Sequence, residues 1–208
     1  CMGKNTISDV MPLTSPIAHQ GSLTFFTGPM FSGKTLELVR HLQIFHEQQI
    51  PLVCLRPTID TRTPIIQSRS GLLMEGISVD PTDMDRVREL VREALVIGVD
   101  EVNMFTIELV SVLEEELRRG KIILVSGIDT NFRGEMFETC AALMAIPETI
   151  VQRSRAVCSV CRGYNATCTQ RLRDGKPVPY DDPMILVEGS AKDVTYEARY
   201  IAHHEMVR

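Results

Sequence analysis

The chain has 208 residues, 44% hydrophobic and 24% charged, the balance expected of a globular protein with enough apolar surface for a substantial core. Its net charge of −5, from 22 basic and 27 acidic residues, argues against a sequence-independent grip on nucleic acid. No apolar run approaches the ~18 residues of a membrane span, and residues 1–20 lack the apolar core of a signal peptide, so a polar N-terminal arm and a cytoplasmic location are expected.

Residues 23–27 (Leu-Thr-Phe-Phe-Thr) are a short apolar run that predicts a buried strand. The run leads into Gly28, Pro29, Met30, Phe31, Ser32, Gly33, Lys34 and Thr35, which match the phosphate-binding pattern G-x-x-x-x-G-K-[ST] at every fixed position. Gly28 and Gly33 let the backbone fold round phosphate oxygens with its N–H groups turned inward. Lys34 offers a point charge to the β- and γ-phosphates, and the Thr35 hydroxyl is placed to ligate Mg²⁺. Residues 35–49 follow with apolar side chains at Leu36, Leu38, Val39, Leu42, Ile44 and Phe45, a helical pattern whose N-terminus favours an anion.

A second apolar run, residues 51–55, predicts a buried parallel strand ended by Arg56-Pro57. Residues 58–81 show little periodicity. They read as a solvated loop, with a flap over phosphates carried by Arg62 as the functional alternative. Residues 81–95 predict a helix capped by Thr82 or Asp83, with Val87, Leu90, Val91, Ala94 and Leu95 as its apolar stripe. Residues 96–101 (Val-Ile-Gly-Val-Asp-Glu) are an apolar strand ending in two carboxylates. Two acids there can simply cap the next helix, but after a P-loop they suit a Walker B strand, with Asp100 holding the Mg²⁺ shell and Glu101 free to act on a nucleophile.

A helix from Thr106 to Gly120 carries acid in its first turn and base in its last, as the helix dipole favours. Residues 121–126 predict another buried strand, residues up to 145 a small-residue helix, and Ile150-Val151 a last short strand. Strands alternating with helices define an α/β fold with a parallel sheet and ligands at the strands' C-terminal ends. A P-loop domain over 21–154 and a smaller domain over 155–208 are therefore expected, since the texture turns polar and proline-rich after Arg155. Of the six cysteines, Cys158, Cys161 and Cys168 fall within eleven residues. That clustering suggests metal rather than disulfides, with two free thiols in a turn as the bland alternative.

Several separated segments together resemble the thymidine kinase family of the cellular, zinc-lasso type, over roughly residues 21–204. They are the P-loop, Asp60-Thr61-Arg62, Asp100-Glu101-Val102-Asn103-Met104-Phe105, Asp129-Thr130-Asn131-Phe132-Arg133-Gly134, Cys158-x-x-Cys161, Thr169-Gln170-Arg171-Leu172 and Tyr196-Glu197-Ala198-Arg199. The resemblance implies a RecA-like P-loop parallel sheet with a small zinc-ribbon-like lasso domain. It implies γ-phosphoryl transfer from Mg²⁺-bound ATP to the 5′-hydroxyl of thymidine, by a homotetramer inhibited by dTTP. It also implies roles for single residues. Glu101 is the general base, and the P-loop with Asp100 and Asn103 binds ATP. Met30, Phe132, Thr169, Val187, Gly189 and Tyr196 surround the nucleoside, and Arg62 and Arg171 lie near the transferring phosphoryl group. Cys158, Cys161 and His203 hold zinc.

Where the family motif reads Tyr-Glu-Ala-Arg-Cys-x-x-His, this chain has Tyr200 in place of the third cysteine, with Cys168 and His204 as the nearest candidates to replace it. The family usually has Gln-Phe where this chain has Asn103-Met104. That pocket change and the altered metal motif admit a second reading, a nucleotide-binding subunit with weakened catalysis and an assembly or regulatory role.

Overall fold

The computed structural model describes residues 20–58, 65–67, 73–184 and 193–207. Residues 1–19 of the expected 1–20 arm, Arg62, Val187 and Gly189 lie outside the described residues. In chain order the first part contains β1 (Ser22–Thr27), α1 (Lys34–Glu47), β2 (Leu52–Pro57), β3 (Ile65–Gln67), β4 (Leu73–Glu75), β5 (Ile77–Val79), α2 (Met84–Val91) and β6 (Val96–Val99). It continues with α3 (Glu108–Arg118), β7 (Ile122–Gly127), α4 (Glu138–Ala145) and β8 (Thr149–Arg153). Six strands form one sheet in the order β5-β2-β6-β7-β1-β8, and each pairing in it is parallel.

Strand alternation distributes the apolar runs to two faces. Leu23 and Phe25 of β1, Val53 and Leu55 of β2, Ile97 and Val99 of β6, and Ile123 and Val125 of β7 join α2, α3 and α4 in the larger core. Phe26, Cys54, Val96 and Leu124 face the other way, against Leu38, Val39 and Leu42 of α1. Such a doubly covered sheet is why its strands read as continuous hydrophobic runs. Gly98 lets α1 lie close on the sheet, because a Cβ there would stand 2.7 Å from Leu42 Cδ1 and 3.0 Å from Cys54 Sγ. Asp83 caps α2 by accepting from Arg86 N at 3.0 Å. No helix among the described residues is long and apolar enough to cross a membrane.

Two expectations are corrected. The stretch after β2 is not only a loop, since β3 and β4 pair as an antiparallel hairpin and β5 adds a parallel edge strand to β2. Strands of three residues are too short to show an alternation. In addition, β2 does not stop before Arg56 but runs through Pro57, with Arg56 buried and its Nε donating to Ser78 Oγ of β5 at 2.9 Å.

The region read as a polar stretch also contains strands: β9 (Ala156–Val157), β10 (Tyr164–Ala166), β11 (Cys168–Arg173), β12 (Lys176–Pro177) and β13 (Val194–Arg199). Strand β11 pairs antiparallel with β12 on one side and β13 on the other. Its buried face and centre are polar, with Thr169, Gln170 and Arg171 each at most 3% exposed. An apolar pattern was therefore never there to be seen.

Candidate active site and metal centre

The P-loop leaves the end of β1 through backbone that only glycine accepts at its first position. Gly28 has φ 145°, and a Cβ there would meet Ser154 O at 2.4 Å and Ser32 Oγ at 2.7 Å. Gly33, also at positive φ, starts α1, so the loop closes on a helix N-terminus. The Ser32 hydroxyl is buried and has no hydrogen-bond partner among the described residues. An unsatisfied buried donor facing this loop is what an absent phosphate oxygen would complete. Lys34 is buried, and its Nζ donates across the loop to Pro29 O at 2.8 Å.

Register places the second half of the site beside the first. Phe26 is opposite Ser126 and Val99 is opposite Val125, so β1, β7 and β6 end at one edge. Buried Asp100 accepts there from Thr35 Oγ1 at 3.2 Å, from Ser126 Oγ and from the Glu101 N–H at 3.0 Å. A carboxylate and a hydroxyl in contact at a strand end are the hard oxygen donors that Mg²⁺ prefers. Glu101 is half-buried and left-handed, at φ 50° and ψ 44°, where the chain turns from β6 into a 3₁₀ turn. Such backbone costs roughly 1–3 kcal/mol in a non-glycine residue and is found at functional sites. The Asn103 side-chain oxygen accepts from Ile128 N at 3.1 Å, which ties that turn to the end of β7. Burial first, then the charges of Asp129 and Glu101, push the Cys140 thiol up.

A second group of side chains joins the C-terminal strands to this edge. Met30 N donates to Thr169 Oγ1 of β11 at 3.1 Å. Arg171 lies with its guanidinium carbon 4.3 Å from the centre of the buried Phe132 ring. Its Nε donates to the Tyr196 hydroxyl at 3.1 Å, and it pairs with Asp182 at 2.9 Å and donates to the Met184 carbonyl at 2.9 Å. Arg173 reaches the other Asp182 oxygen at 2.7 Å. Arg171, expected as a charge near the phosphoryl group, thus pairs with Asp182 and donates to Tyr196 and to the segment before residue 185. Arg171→Gln should cost about 1–3 kcal/mol of stability by denaturant titration, the magnitude for a charged hydrogen-bonding group lost from a buried network that Arg173 partly preserves. An unchanged midpoint would show that the network is not structural.

Cys158, Cys161 and His203 bring three ligand atoms within 4.8 Å of one another. Cys158 follows β9 in a turn held by Cys158 N to Gly163 O and Arg162 N to Cys158 O, both 2.9 Å, and His203 closes the 3₁₀ turn after β13. Burial pushes the Cys158 thiol up. The backbone N–H groups of Cys161, Tyr200 and Val160 and the His203 side chain outweigh it and bring the pKa to about 6, favouring the thiolate a metal needs. Cys168 is not in this cluster; its sulfur sits 3.8 Å from Thr167 Oγ1. His204 is committed elsewhere, its Nε2 lying 2.9 Å from Phe132 O. Neither candidate replacement for the missing third cysteine joins the three-residue cluster among the described residues. Ser126 and Asp182 are the participants that sequence reasoning missed; only the position of Ser126 at the end of an apolar run pointed to it.

A parallel sheet with this loop after its first strand, and an acid pair two strands away, defines a P-loop nucleotide-binding protein with a small metal-binding module. A family model described as Thymidine kinase matches residues 21–199. A thymidine kinase of Coprothermobacter proteolyticus is 42% identical over 192 residues, covering 91% of this chain and 93% of that one. The chain belongs to the thymidine kinase family. Among solved structures, the Pif1 helicase from Candida albicans aligns with a TM-score of 0.41 at 13% identity, over 64% of this chain and 36% of that chain. A Bacteroides Pif1 bound to ssDNA aligns at 0.35 and 14%, over 64% and 38%.

Proposed function

We propose that this chain is an ATP-dependent thymidine kinase, which moves the γ-phosphoryl group of ATP to the 5′-hydroxyl of thymidine and yields dTMP and ADP. The observation that carries the reading is the convergence on Asp100 of Thr35 from α1 and Ser126 from β7, with Glu101 next in the chain. Family membership supplies the substrate class. The backbone of residues 28–35 cradles the phosphates, and Lys34 neutralises the β- and γ-oxygens. Thr35 and Asp100 would hold Mg²⁺, which supplies further charge neutralisation when bound. Glu101 takes the proton of the 5′-hydroxyl as its oxygen bonds to the γ-phosphorus and the bond to the ADP oxygen breaks. Asn103 positions the turn that carries Glu101.

Met30, Phe132, Thr169 and Tyr196 bound the nucleoside side, and Arg171 orients Phe132 and Tyr196 rather than touching phosphate. The unit over 155–208 is a lasso module stapled by zinc on Cys158, Cys161 and His203, whose sulfur-to-nitrogen spacing fits a tetrahedral ion. The family resemblance extends the proposal to a homotetramer, to inhibition by dTTP and to a cytoplasmic setting. Incubation with Mg²⁺·ATP and thymidine, deoxyuridine or deoxycytidine, followed by chromatography of the nucleotides, tests the reading. Formation of dTMP is expected. A chain that binds ATP and makes no nucleoside monophosphate would instead be the weakened subunit.

A further inference from the structure

Tetrahedral zinc with bonds of about 2.3 Å to sulfur and about 2.0 Å to nitrogen separates those two ligands by about 3.5 Å. Cys158 Sγ and His203 Nδ1 stand 3.5 Å apart, and Cys161 completes a face of three donors. No fourth His, Cys, Asp or Glu among the described residues joins them. The carboxylates of Glu197 and Glu205, which flank Tyr200 and His203 in the chain, both pair with Arg199, at 2.9 and 2.7 Å.

Tyr200 stands beside the cluster without supplying a donor of the usual kind. Its N–H donates to Cys158 Sγ at 3.3 Å, so its backbone supports a ligand. Its ring lies edge-on to His203, with centroids 6.2 Å apart, and phenol oxygen is not among the usual zinc donors, which are thiolate, imidazole and carboxylate. The cluster also reaches the surface, because Cys161 is exposed, His203 half-buried and Tyr200 39% exposed.

We propose that this centre is a three-ligand metal site whose fourth position, on the solvent side, is held by water and exchanges with a small monodentate thiol. The inference rests on the metal reading of the cluster and goes beyond it. A closed structural site has four protein ligands; three with an exchangeable fourth is the arrangement of open sites. A centre with two thiolates accepts a third readily, since thiolate suits the borderline-soft zinc ion. Retention of the ion, and with it the folding energy it gives this module, then depends on what fills that position.

The test uses the full chain, kept reduced with a phosphine, stripped by a chelator and reloaded with Co²⁺, whose visible bands report coordination. Titration with 2-mercaptoethanol should change those bands saturably while the protein retains its cobalt. Tyr200→Cys should abolish the response and raise Zn²⁺ affinity, by competition with a chromophoric chelator, more than about tenfold, since even groups outside the ligand set shift metal affinity about 10–100-fold. Bound cobalt whose spectrum ignores thiol would overturn the open position. So would a spectrum altered by Cys168→Ser, because a fourth protein ligand would then exist. A chain that takes up no stoichiometric cobalt would overturn the metal reading itself, a failure distinct from the other two.

Discussion

Lys34→Ala should lower kcat/KM for ATP by roughly 10²–10³-fold or more, the range for loss of one preorganised group that stabilises transition-state charge. The ammonium group is buried, held by the Pro29 carbonyl of the loop it serves, and so needs little reorganisation when phosphate arrives. Nothing else in the loop replaces it, because residues 28–33 contribute backbone N–H groups and the Ser32 hydroxyl but no cation. Lys34 opens α1 at a position where alanine is an excellent helix former, so the fold should survive. Thymidine binding measured by titration calorimetry should be nearly unchanged. Thymidine affinity lost with ATP affinity kept would reverse the assignment of the two pockets.

Glu101→Gln should retain ATP binding while kcat falls by about 10²-fold or more, as for removal of a positioned base. The substitution preserves shape, and glutamine meets the same left-handed backbone cost at φ 50° that glutamate already bears. Metal binding should survive as well, since the Thr35 and Ser126 hydroxyls contact Asp100, which the substitution leaves in place. A variant with full turnover would remove Glu101 from the chemistry.

The parallel frame was legible because its strands are apolar on both faces. The P-loop was legible because its chemistry is contiguous in the chain. The approach of Thr35 to Asp100 could be anticipated from motif order, with 65 residues between them. Side chains whose partners depend on tertiary register were not legible. Arg171 looks like a spare cation until Asp182, eleven residues on, is placed beside it. Thr169 gives no sign of its bond to Met30, 139 residues away. Strand β11 hid because it buries polar groups that bond to other segments and to the backbone, as Gln170 does with the Glu205 carbonyl at 3.1 Å. Cys168 is the opposite case. Nearness in sequence suggested a ligand, yet Cys168, at the start of β11, is not in the cluster of Cys158, Cys161 and His203.

The central claim is that the P-loop and the Asp100-Glu101 strand end serve one transfer, to a nucleoside and not to water. The most direct test measures ADP release by the purified chain with Mg²⁺·ATP, with and without thymidine, alongside the dTMP formed. The account predicts slow release without nucleoside, strong stimulation by thymidine, and ADP and dTMP in equal amounts. ADP release indifferent to thymidine, with no dTMP formed, would contradict it.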